Sequence, residues 1–159
     1  MTAVKILFKQ RIFSWFDSYD IYDEWGGTLF TVRGKPAWGH KLEIEDAAGR
    51  PLGTVREEIL TLLPRFALYD AAGRPLGMIR REWSLFHPIY TLDCNGWEVR
   101  GNLLAWDYEV FDPAGRLVMA AHKELFRWSD TYEIEVADGR DALIAVMIVL
   151  AIDAAQCGR

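Results

Sequence analysis

The chain is predicted to fold as a mainly β domain with one helix: roughly twelve antiparallel strands closed into a barrel around a buried, hydrophobic C-terminal helix. Three observations predict it. A turn of one composition recurs three times, the segments beside it alternate apolar and polar residues, and the end of the chain is apolar on every face.

The turn reads Asp46-Ala47-Ala48-Gly49-Arg50, then Asp70-Ala71-Ala72-Gly73-Arg74, then Asp112-Pro113-Ala114-Gly115-Arg116. An Asp carboxylate bonds its own backbone two residues on, and Gly supplies a positive φ, so the pair closes a short β-hairpin. Ahead of the turns stand Leu42-Glu43-Ile44-Glu45, Phe66-Ala67-Leu68-Tyr69 and Tyr108-Glu109-Val110-Phe111. Behind them run residues 52–58, 76–82 and 117–124. Several of these segments alternate as half-buried strands do, and the first two copies form an internal repeat. Gly26-Gly27, Gly34-Lys35-Pro36 and Asn95-Gly96 punctuate the remaining strand-like runs. No linker or low-complexity stretch divides the chain, so residues 1–159 are read as one domain.

The helix is read from Ala142 to Ile152, a run without Gly, Pro or charge. Asp138 is its N-cap candidate, and Asp141 places negative charge near its positive end. A helix apolar all round either spans a membrane or is buried on all sides. Eleven residues rise only about 16 Å, whereas a span needs about 20 residues. Burial therefore requires the sheet to wrap the helix. Leu143, Ile144, Val146, Met147, Ile148, Val149, Leu150 and Ile152 are then core side chains, each worth about 1.5–3 kcal/mol on burial.

Composition narrows the function classes. The chain is 51% hydrophobic and 26% charged, which excludes disorder. A net charge of -5 argues against nucleic acid as a partner, because a polyanion needs a dominant basic face. Cys94 and Cys157 make no metal spacing and no disulfide framework, and are assigned to a turn and a tail. Lys5 and Lys9 interrupt the first apolar run, so no signal peptide is read there and a cytoplasmic location is expected.

In the order of its segments the chain resembles the LURP-one-related family. The matching stretches are Tyr19-Asp20-Ile21-Tyr22-Asp23-Glu24, Leu29-Phe30-Thr31-Val32-Arg33-Gly34, the three hairpins, Val99-Arg100-Gly101-Asn102, Asp107-Tyr108-Glu109-Val110, residues 130–136 and the Asp141-to-Asp153 helix. The resemblance implies the tubby-like, phospholipid-scramblase-like fold, a twelve-stranded barrel around a hydrophobic helix. It implies no shared chemistry. Related tubby domains bind phosphoinositides through basic residues and scramblases act on lipids with calcium, but neither motif maps residue by residue onto this chain.

Candidate chemistry is sparse. Arg56, Arg80, Arg81, Lys123 and Arg127 recur at similar offsets after the turns. If their strands lie side by side they form a basic stripe for phosphate headgroups, although Glu57, Glu58, Glu82 and Glu124 interleave them. The acidic run Asp17, Asp20, Asp23, Glu24 has the wrong spacing for a calcium loop. Phe8, Ile12, Phe13, Trp15 and Phe16, with Lys5, Lys9 and Arg11, resemble a membrane-surface or partner-binding segment. The six tryptophans from Trp25 onward read as packing unless several share one exposed patch. His40, His87 and His122 stand apart, the serines lack a nucleophile elbow, and Ser84 near His87 is the only near pair. The expectation is a non-enzymatic binding module without cofactor or metal, cytoplasmic and peripheral at an anionic lipid surface. The alternative is a protein–protein interaction scaffold.

Overall fold

The computed structural model describes residues 2–9, 18–35, 39–87, 89–124 and 131–157. The strands are β1 (Val4–Phe8), β2 (Ser18–Asp23), β3 (Thr28–Lys35), β4 (Lys41–Asp46), β5 (Pro51–Glu57), β6 (Arg65–Asp70), β7 (Pro75–Glu82), β8 (Ile89–Leu92), β9 (Trp97–Asn102), β10 (Asp107–Phe111), β11 (Leu117–Glu124) and β12 (Thr131–Val136). Among the described residues these twelve form a closed antiparallel barrel in which each strand pairs its sequence neighbour. β1 and β12 close the ring with Val4 opposite Val136 and Phe8 opposite Tyr132.

The three repeated turns are built alike. Asp46 Oδ1 accepts the amides of Ala48 and Arg50, both at 2.9 Å, and Oδ2 accepts Arg50 Nε at 2.8 Å. Gly49 has φ +82° and donates its amide to Asp46 O. Asp70 and Asp112 repeat the arrangement with Arg74 and Arg116. The acceptor is a side chain and the left-handed residue a glycine, so each turn satisfies itself without tertiary help.

Alternation sends one face of every strand inward, with Leu42 and Ile44, Phe66 and Leu68, and Ile134 and Val136 as representative pairs. These side chains meet α1 (Ala142–Cys157), which fills the lumen. Asp138 caps a short 3₁₀ turn, Gly139–Asp141, that leads directly into it. Ala145 to Ala154 are all buried, including six of the eight predicted core side chains. Leu143 and Ile144 are only partly buried, because they lie at the mouth where the helix passes between strand ends. At Gly53 of β5 the wall touches the helix: an added Cβ would collide with the end of Met147 and lie 2.7 Å from Tyr69 O.

Two expectations are corrected here. The helix continues beyond Ile152 to Cys157, so the second cysteine closes a helix rather than lying in a tail; Ala154 and Ala155 prolong a good helix former. Asp153, expected as a flank, is 5% exposed within the barrel. Burial first, and then the charge of Asp153, pushes the phenols of Tyr19 and Tyr108 well above the usual tyrosine range. No described helix is long and apolar enough to cross a membrane.

Because α1 follows β12, it passes in at the end that carries the Asp-Gly-Arg turns and runs toward the opposite end. The two ends are called here the turn end and the loop end.

Candidate functional site

The loop end gathers most of the exposed large apolar residues; Trp25 and Leu117 lie at the turn end. Residues 58–64 join β5 to β6, and residues 83–88 join β7 to β8, both at this end. Leu60, Leu62, Trp83, Leu85 and Phe86 in these loops are each 79–100% exposed, and Ile59 is half exposed. Leu60 is fully exposed and also holds φ +62°, a conformation that favours glycine. A leucine there contributes neither burial nor backbone ease to the fold.

Between the two loops lies a cavity of about 500 Å³ lined by Leu60, Leu62, Leu63 and Trp83 on its apolar side and Arg65, Arg80, Arg81 and Glu82 on its polar side. Arg65 and Arg80 are directly opposite in the β6–β7 ladder, a placement that disfavours two like charges. Arg80 reaches Asp93 at 3.0 Å, while its Nε is buried without a hydrogen bond. Glu82 accepts the Thr91 hydroxyl at 2.8 Å. Among the described residues neither Arg65 nor Arg81 forms an ion pair.

The predicted basic residues fall in three places. Arg80 and Arg81 line this cavity. Arg56 is exposed on β5, opposite Lys41 and Ala67, beside a smaller hollow lined by Glu58, Ile59 and Tyr69. Lys123 sits on β11, four strands round the barrel from β7, with its ammonium 5.9 Å from the centre of the Tyr132 ring. Arg127 lies outside the described residues. Equal offsets after a turn thus place Arg80 and Lys123 on strands separated by β8, β9 and β10. Arg65, which opens β6 rather than following one of the repeated turns, was not among the predicted residues.

The other candidates resolve locally. Asp20 accepts the Thr31 hydroxyl at 2.8 Å, and Asp23 accepts the amides of Trp25 and Gly27, closing the β2–β3 turn; Asp17 lies outside the described residues. Of the N-terminal aromatic segment, Phe8 is buried on β1 and residues 10–17 lie outside the described residues. Trp97 and Trp106 are buried, Trp106 packing 4.4 Å from Tyr132 between ring centres. Trp25 is exposed at the turn end and Trp83 at the loop end, while Trp38 and Trp128 lie outside the described residues. Ser84 Oγ accepts the backbone amide of His87 at 3.3 Å, so the near pair is a loop contact.

One cluster escaped the sequence reading: His122, Glu133 and Glu135 bring one donor atom each within 4.8 Å of one another. β11–β12 pairing sets His122 opposite Glu133. The Lys5 ammonium lies 3.4 Å from Glu133 and 3.3 Å from Glu135, and those carboxylates, Glu135 foremost, raise its pKa. The four groups form a mixed-charge network. His40 and Glu57 also pair side chain to side chain at the loop end.

A family model described as LURP-one-related matches residues 4–153. The uncharacterized protein YxjI of Bacillus subtilis is 25% identical over 151 residues, which span 94% of this chain and 92% of that protein. An X-ray structure of a protein from Arabidopsis thaliana shares the fold with a TM-score of 0.68 at 20% identity, covering 96% of this chain and 91% of its own.

Proposed function

The chain belongs to the LURP-one-related family, and for its barrel we propose a non-enzymatic role: the loop end docks on a membrane surface that carries anionic lipid. The observation that carries this reading is the concentration of exposed leucine, tryptophan and phenylalanine in two adjacent loops beside Arg65 and Arg81, which form no ion pair among the described residues. Leu, Phe and Trp are the side chains that enter the headgroup and acyl boundary, and each inserted one is worth about 1.5–3 kcal/mol. Each arginine near an anionic surface adds about 1 kcal/mol. The net charge of -5 does not oppose this, because charges at the far end are screened beyond about 8 Å at physiological salt.

The test is co-sedimentation at low salt with phosphatidylcholine vesicles, with and without phosphatidylserine. The wild-type chain should sediment with the anionic vesicles and less so as salt rises. Leu60→Ser with Trp83→Ser should lower the partition at least about a hundredfold, as two lost insertions imply. Arg65→Gln with Arg81→Gln should weaken binding only to the anionic vesicles. Failure of the wild type to sediment with any anionic vesicle would remove the reading.

A further inference from the structure

We propose that the cavity between the two loops seats a phosphomonoester, the terminal phosphate of a lipid such as phosphatidic acid. The proposal rests on the membrane reading and deepens it, replacing diffuse charge attraction with one bound headgroup. Arg65, Arg80 and Arg81 all line the cavity, and Arg65 stands directly opposite Arg80 in the β6–β7 ladder. Like charges set opposite each other weaken a ladder, so the empty barrel gains nothing from that pair. The nearby carboxylates leave the cluster unneutralised. Asp93 takes only Arg80, at 3.0 Å, and Glu82 accepts the Thr91 hydroxyl instead. Arg65 and Arg81 form no ion pair among the described residues, and Arg80 Nε is buried with no acceptor. Guanidiniums gathered without acceptors fit an oxyanion that arrives from outside.

The lining selects among anions. A phosphomonoester carries a charge of about −1.5 to −2 near neutral pH and three acceptor oxygens. The phosphodiester of phosphatidylserine carries a single charge and exposes fewer free oxygens, so several planar guanidinium forks suit the monoester better. A cavity of about 500 Å³ is large enough for such a headgroup. The apolar side of the same cavity points to a lipid as the source. Leu60, Leu62 and Trp83 line it and are mostly exposed. They suit the glycerol and first methylenes of a lipid, which inorganic phosphate lacks.

The experiment compares phosphatidylcholine vesicles carrying phosphatidic acid with vesicles carrying phosphatidylserine, the two matched in surface potential. The wild-type chain should prefer phosphatidic acid about tenfold or more, as added charge-assisted hydrogen bonds imply. Arg65→Lys with Arg81→Lys keeps the charge and removes the planar forks, so the preference should fall to about one. Arg65→Gln removes the like-charge pair, so it should lose the preference while melting no lower than the wild type. In solution, dihexanoyl phosphatidic acid should bind at least about tenfold tighter than glycerol 3-phosphate. Equal binding to both vesicles at matched potential would overturn the proposal and leave the membrane reading standing; binding to neither would remove both. A preference that survives the lysine pair would deny the forks their role, and a lower melt for Arg65→Gln would make that arginine a residue of the fold. Equal affinity for the two soluble phosphates would deny the lipid, and each of these three results also overturns the proposal.

Discussion

At the turn end, Asp46, Asp70 and Asp112 each hold two backbone amides and the guanidinium of their own hairpin, and Asp138 holds the amide and guanidinium of Arg140 beside the helix start. At the loop end, the connections carry exposed leucines, a tryptophan and a phenylalanine around arginines of like charge. The same twelve strands join both ends. Residues at the turn end are chosen for what they do to their own backbone; those at the loop end do little for the fold. The difference teaches where stability resides and where the sequence serves something outside the chain.

The largest expected effect tests the premise both ends share. Ile148→Asp puts an unpaired charge into the dry lumen and should abolish soluble folded protein; a normal thermal melt from that variant contradicts the barrel-and-plug account. A smaller pair of changes sets the ends against each other. Gly73 holds φ +81° with nothing near an added Cβ, so Gly73→Ala should cost about 1 kcal/mol from backbone strain alone. Leu60→Gly relieves the same strain and should stabilise by about 1 kcal/mol, while weakening vesicle binding. Denaturant midpoints check both; equal signs would erase the contrast.

The smallest effect is a titration. The amide and guanidinium of Arg50, Arg74 and Arg116 hold Asp46, Asp70 and Asp112 below the ordinary carboxylate range, and Arg140 lowers Asp138 to about 2. A depressed folded pKa stabilises above the unfolded value, about 4. That contribution should be full at neutral pH and fade as pH falls from about 4 toward 2. Carboxyl NMR titrations check it, and midpoints at the ordinary value would show that the turn bonds do not persist in solution.

What was legible follows from range. The Asp-Gly-Arg turns act within five residues, and the apolar run of α1 admits few environments, so both could be read directly. Lys123 was grouped with Arg80 because a turn offset says nothing about how many strands intervene. The His122–Glu133–Glu135 cluster exists only through cross-strand register. Ile59-Leu60-Thr61-Leu62-Leu63 reads like any buried stretch, and only the fold reveals that the loop bows outward. Asp153 was read as a boundary because a carboxylate usually ends an apolar segment.

The closing ladder has a consequence for the order of folding. Val4 pairs with Val136, and α1 follows that last strand, so the wall has nothing dry to close upon until nearly all of the described chain is available. Hairpins whose turns need no outside support can persist as separate units in the meantime. The committed step then joins first strand, last strand and helix together. Ring closure across so many residues is entropically slow, and pulse-labelled exchange should protect the three repeated turns before any amide of β1 or β12.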